Sequence, residues 1–270
     1  MSVILFQHDR YAGRVFSLYF DFGVVITMSK FVSALTLAFI LLGTSAHAGM
    51  AIVDGVGTSS GRASNSSSYA VNLPSGIVDG SLVVVAIASN TRATPSAEGY
   101  TAGYEQGFKG DANGCFEFYH VWKTGDSTSP IFSRSTTGSD AYAVVALSGV
   151  GITDTFVDTA TGTSSEYGTR VNLPAITTHN NDDMVVYASC AEGSATFSSP
   201  SVGSIAVQQA DTSSSVAIST YAQATEGLLG TQTSLTDTSL VNGSAVVALI
   251  AAPTPQGSAS ASSSAESNAP

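Results

Sequence analysis

The pentapeptide AVVAL occupies Ala143–Leu147 and returns unchanged at Ala245–Leu249, 102 residues later. A short apolar run with β-branched residues at its centre, bounded by polar turn residues, predicts a strand buried on both faces. The same spacing recurs upstream. Leu82-Val-Val-Val-Ala86 is answered by Met184-Val-Val-Tyr-Ala188, also 102 residues on. The tetrapeptide VNLP stands at Val71–Pro74 and again at Val171–Pro174, 100 residues apart. Between these anchors each half carries a tyrosine-bearing strand, with Tyr119 in one and Tyr221 in the other. Ordered anchors at near-constant spacing predict one chain built from two similar halves.

Strand patterns fill the rest of the body, over Ser81–Ala88, Cys115–Lys123, Ala141–Ser148, Asp183–Ser189, Ser215–Ala222 and Ser244–Ala251. Gly, Asn, Asp, Ser and Pro clusters separate them, which is turn chemistry. A four-stranded sheet with one apolar face cannot stand alone and must pack on another. No Pro/Gly/Ser-rich linker lies between Val150 and Thr163. The expected fold is therefore all-β: a single antiparallel β-sandwich, jelly-roll-like, of about eight to ten strands over residues 49–253. The VNLP segments are expected to be matching openings of the two halves. The strands after them, Leu82–Ala88 and Met184–Ser189, should share one core.

Composition limits the function classes. Hydrophobic residues make up 43% and charged residues only 11%, against about 25% charged in an ordinary soluble domain. Ser, Thr, Gly and Ala fill the difference, which suits an extracellular or virion surface. Nine basic residues and a net charge of −11 give no electrostatic footprint for nucleic acid or for an anionic membrane.

Residues 28–48, MSKFVSALTLAFILLGTSAHA, read as a secretory signal helix. Lys30 precedes an apolar run, Phe31–Leu42, and Ala46-His47-Ala48 forms an A-x-A cleavage pattern. The run is too short to span a membrane comfortably, so no stable span is expected after cleavage. Residues 1–27 show no clear period and read as a possible mis-annotated extension; Met1, Met28 and Met50 are all candidate starts. Residues 254–270, rich in Ser and Ala, read as a disordered low-complexity tail.

A search for chemistry finds little. A Ser-His-Asp hydrolase needs a base, and after residue 48 the histidines are His120 and His179, with no G-x-S-x-G elbow. His120 is expected to be packed or on a sheet surface, and His179 in a solvated loop. Asp79, Asp111, Asp126, Asp154, Asp182 and Asp183 fall mostly in turns and Glu117 on a strand; no carboxylate pair stands out. A non-enzymatic protein without a resident cofactor is the expectation. Asp111 and Asn113 in GDANG could begin a structural calcium loop, although the twelfth position from Asp111 is Trp122 where an EF-hand needs Glu. Ordinary hairpin chemistry is the competing reading.

Cys115 and Cys190 are the only cysteines. They could pair, or could be two buried free thiols. Seven aromatics fall within Tyr100–Trp122. Phe116, Phe118 and Trp122 alternate on one face and are expected in the core. Tyr100, Tyr104 and Phe108 lie in a Gly-rich stretch and are the set expected to be exposed for contact with glycans.

Taken together, the order Leu82–Ala88, then FEFYHVWKTGD (Phe116–Asp126), then AYAVVALSGV (Ala141–Val150), with PAITTHNNDDMVV (Pro174–Val186) in the second half, resembles a jelly-roll-like β-sandwich domain recurrent in tailed-phage structural proteins and secreted bacterial proteins. The resemblance covers Ala51 to Ala252. It implies a structural, decorating or adhesive module, partnered by other structural proteins, by its own copies or by surface glycans, and it carries over no catalytic residue. The signal pattern departs from the phage case and favours an extracellular or cell-envelope location over the virion. The alternative function is a secreted carbohydrate-binding module.

Overall fold

The computed structural model describes residues 4–10, 13–19, 25–28, 50–53, 57–108, 112–151, 157–159 and 163–250. The signal segment lies outside the described residues except for Met28, as does the 254–270 tail. The N-terminal segment is a unit of its own. Here β1 (Ile4–Arg10), β2 (Gly13–Tyr19) and β3 (Val25–Met28) form an antiparallel meander in the order β1-β2-β3.

The second unit holds two sheets, one from each half. The first contains β4 (Ala51–Ile52), β5 (Thr58–Ala70), β6 (Leu82–Ser89), β7 (Thr101–Phe108), β8 (Asn113–Val121) and β9 (Ile131–Ser148). The second contains β10 (Val157–Thr159), β11 (Thr163–Leu173), β13 (Asp183–Glu192), β14 (Ser204–Ala210), β15 (Ser214–Gln223) and β17 (Gln232–Leu249). Short strands β12 (Ile176–Thr178) and β16 (Gly227–Leu229) pair separately. The sheet orders are β4-β9-β6-β8-β7 and β10-β17-β13-β15-β14, with β5 on β9 and β11 on β17. The two connectivities are the same. All ladders between these strands are antiparallel. Each sheet comes from one continuous half, so among the described residues the chain passes between sheets once rather than repeatedly, as two Greek keys would require.

Register shows how deep the duplication runs. Leu82 pairs with Leu147 and Met184 with Leu249; Ser89 pairs with Asp140 and Ala191 with Asn242. The bulge between Ala102 and Tyr104 on β7 recurs between Ile205 and Val207 on β14. The VNLP pair is the exception, and the expectation that it marks matching positions is corrected. Ala70 pairs with Ile131 and Asn172 with Thr233, so the ladder spacing of 102 makes Leu173, not Val171, the counterpart of Val71. The tetrapeptides are slipped by two residues. A slip of two keeps the same face inward, which is why Val71, Leu73, Val171 and Leu173 are all buried.

The central strands are apolar throughout because they are covered on both faces. Leu82, Val84, Ala86 and Ala88 pack with Met184, Val186, Ala188 and Cys190 in one inter-sheet core, joined by Val216, Ile218, Val145 and Leu147. The alternate residues point outward. Val83, Val85 and Ile87 join Phe116, Phe118, Trp122 and Phe132 in an outer cluster over the first sheet. Val185 and Tyr187 do the same over the second sheet with Val171, Leu173 and Phe197. Each fully buried Val, Leu or Ile contributes about 1.5–3 kcal/mol. Packing between sheets is reciprocal: β7 and β8 lie on β17 and β13, and β14 and β15 on β9, β5 and β6. Arg62 of β5 reaches Asp211 beyond β14 at 3.0 Å across one edge.

Candidate functional site

Cys115 on β8 and Cys190 on β13 form a disulfide with Cα atoms 5.8 Å apart, joining the two sheets face to face inside the shared core. Closing a loop of this separation stabilises the fold by about 4 kcal/mol in the chain-entropy model. The counterparts of this pair in the repeat are Val216 and Ala88, which meet in the same core without a bond.

Tyr100, Tyr104 and Phe108 do not make an exposed aromatic platform, and that expectation is corrected. The Gly-rich stretch is strand β7, not a loop, and its alternation turns side chains inward. Phe108 is 1% exposed in the inter-sheet core, packed against Gly243 of the opposite sheet. Tyr104 is half-buried opposite Glu117 in the β7–β8 ladder. Tyr100 lies on the other face, stacked on His120 at 4.8 Å and edge-on to Phe132 at 5.2 Å. Phe116, Phe118 and Trp122 are buried together.

His120 is a packed strand residue. Its Nδ1 lies 2.8 Å from the Gly99 carbonyl and its Nε2 2.7 Å from the Asp126 carboxylate. Asp126 also accepts the Lys123 amide, and these two hydrogen bonds hold its carboxyl below the usual range. His179 is exposed. Asp111 lies outside the described residues. Asn113 begins β8, 4% exposed. Among the described residues no group of three or more His, Cys, Asp or Glu side chains gathers in a way that could hold a metal ion.

Asn113 instead lines a cleft, and sequence reading missed the site that it belongs to. An open cavity of about 710 Å³ lies between the halves, lined by Asn90 and Asn113 from the first and by Tyr167, Glu192, Ser213 and Leu240, among others, from the second. Asn90 follows β6, Glu192 ends β13, and Ser213 sits in the turn between β14 and β15. By the ladder spacing, Asn90 and Glu192 are counterparts, so the cleft straddles the pseudo-two-fold relation between the halves. Asn113 is two residues from Cys115 on one strand, and Glu192 two from Cys190 on another. Strand alternation puts each on the face of its cysteine, so the disulfide ties the two rims together. Tyr167, on β11, is 76% exposed. The one signal in the sequence was an aromatic set among small polar residues in SSEYGTR, Ser164–Arg170.

A strongly perturbed carboxyl lies elsewhere, in the core. Glu117 is 1% exposed on the inner face of β8, and neither carboxyl oxygen has a partner of good hydrogen-bond geometry. Burial pushes its pKa up to about 8; the nearby Tyr119 hydroxyl pulls weakly the other way. The site is sealed between sheets and open to no substrate. On the outer face, Arg134 meets Asp140 at 2.6 Å and Ser89 at 2.7 Å, all buried.

No family model, curated protein or solved structure matches the chain.

Proposed function

We propose that the chain is a non-enzymatic structural or adhesive module that works outside the cytoplasm. The observation that carries this reading is the buried Cys115–Cys190 bridge between the sheets, because such bonds persist in oxidising compartments. The signal pattern at residues 28–48 and the hydroxyl-rich, charge-poor composition agree with it. Other structural proteins, further copies of the chain and surface glycans are the partners that suit such a surface. An exported envelope or extracellular location fits better than a virion, since virion proteins assemble where thiols stay reduced.

Fractionation of producing cells, with thiol alkylation before and after reduction, tests the location. The protein is expected in the envelope or medium, with both cysteines alkylated only after reduction. Recovery in purified particles would move the module to the virion; recovery from cytosol with free thiols would overturn the export reading. Attachment of cells with and without the protein tests the role. A severalfold loss of attachment or envelope integrity on deletion is expected, and no change in either would refute it.

A further inference from the structure

We infer that the cleft between the halves binds a neutral oligosaccharide, with a pyranose ring stacked on Tyr167. This rests on the adhesive reading and names its ligand class and its site. At about 710 Å³ the cleft falls within the roughly 300–1,000 Å³ of small-molecule sites and suits a short oligosaccharide. Its lining pairs one aromatic ring with amide, hydroxyl and carboxylate groups from Asn90, Asn113, Ser213 and Glu192. That is the complement of a sugar, which offers apolar C–H faces and a rim of hydroxyls that both donate and accept.

Tyr167 carries the argument furthest. At 76% it is the most exposed of the large hydrophobic side chains on the described surface. The fold does not require an aromatic there, because the equivalent place in the first half is the bulge at Ser64–Asn65, which carries none. A rigid ring with a polar tip is a low-entropy contact for an amphipathic ligand. The site is also preorganised. Its rims are strand ends held by the Cys115–Cys190 bridge, so little ordering is left for binding to impose. Charge fixes the sugar class. Among the described residues no Lys or Arg lines the cleft, Glu192 does, and the whole chain carries −11, so sialylated and sulfated glycans are repelled.

The test presents the full-length protein to an array of neutral gluco-, xylo-, galacto- and chito-oligosaccharides alongside sialylated and sulfated glycans. Calorimetry then follows with the strongest neutral sugar. Wild type should bind neutral sugars only. Tyr167→Ala should weaken binding by at least about tenfold, as loss of a central aromatic contact does, and Tyr167→Phe should stay within about threefold because the ring face remains. The side chain is exposed, so neither change should alter the melting temperature. Binding unaffected by Tyr167→Ala, binding confined to acidic glycans, or no sugar binding at all would each overturn the inference. If attachment in the deletion assay is nonetheless lost, the adhesive reading survives that failure; unchanged attachment would sink the adhesive reading itself.

Discussion

The two halves share a ladder and a spacing but fill it differently. In the first half Phe118, Glu117 and Asp140 sit where the second half has smaller or neutral residues, while the second half buries Asp183 where the first has Ser81. Phe118 on β8 faces Val85 on β6; the equivalent pair is Ser219 and Tyr187, so the ring has moved to the neighbouring strand. Glu117 corresponds to Ile218 and Asp140 to Asn242. By the same spacing Arg134 corresponds to Thr236, and both make the same local bond. Arg134 Nε donates to the Thr136 carbonyl, and Thr236 Oγ1 to the Thr238 carbonyl. What the duplicated fold preserves here, then, is strand register, while side-chain size and polarity at single positions drift. The first half ends up with the buried, proton-holding Glu117 and the second with the exposed tyrosine at the cleft.

The bridge is the sharpest departure from symmetry, and removing it should have the largest effect. Cys115→Val with Cys190→Ala installs the residues of the counterpart pair, Val216 and Ala88, without creating a buried free thiol. The double variant should lose about 4 kcal/mol, the loop-closure value for this separation, measured by urea denaturation at fixed pH. A loss below about 1 kcal/mol would mean that packing alone holds the halves together, and the bridged and unbridged positions would then be energetically alike.

Glu117 comes next. Its carboxyl titrates at an ordinary 4.5 when unfolded and near 8 in the fold. Between those values the native state holds the extra proton. The stability this group contributes is complete below about pH 4.5 and declines as pH rises, by about 1.4 kcal/mol per unit, until pH passes about 8. Glu117→Gln should remove that slope relative to wild type when unfolding is followed from pH 5 to pH 8. Glu117→Ile, the residue of the second half, should be more stable than wild type by about 2 kcal/mol at pH 8, since a well-packed apolar group replaces a buried charge. Parallel slopes for wild type and Glu117→Gln would show that the carboxyl reaches water and that the core is not dry at this position.

The repeat was legible in the sequence because buried strands are long apolar runs, and AVVAL and LVVVA versus MVVYA survive as near-identical text. That these strands share one core was legible too, but their order within each sheet was not. The aromatic stretch at Tyr100–Phe108 was misleading because three glycines, Gly99, Gly103 and Gly107, look like a loop. Gly103 is in fact a bulge residue under the ring of Tyr119. The cleft left little trace in the sequence. Its lining comes from strand ends far apart in the chain, and Tyr167 looks ordinary until the surface around it is known. The VNLP repeat was legible but slipped, since period-two alternation accepts a two-residue shift that identity alone cannot reveal.

Gly103 offers the finest test of the comparison. A Cβ there would lie 2.0 Å from the Tyr119 ring, far inside contact distance. Its counterpart across the shared bulge is Ala206, and the counterpart of Tyr119 is Thr220, so each half matches a small residue to a large one or two medium ones. Gly103→Ala alone should cost about 1–2 kcal/mol through overpacking. In a Tyr119→Thr background the same change should be neutral or gain about 0.5 kcal/mol, because the clash is gone and the unfolded chain loses freedom. The sign change is the readout, taken as the coupling term of a double-mutant cycle. Additive effects would mean that the glycine is there for the bulge itself, and that the two halves reached their packing at this position independently of the ring above it.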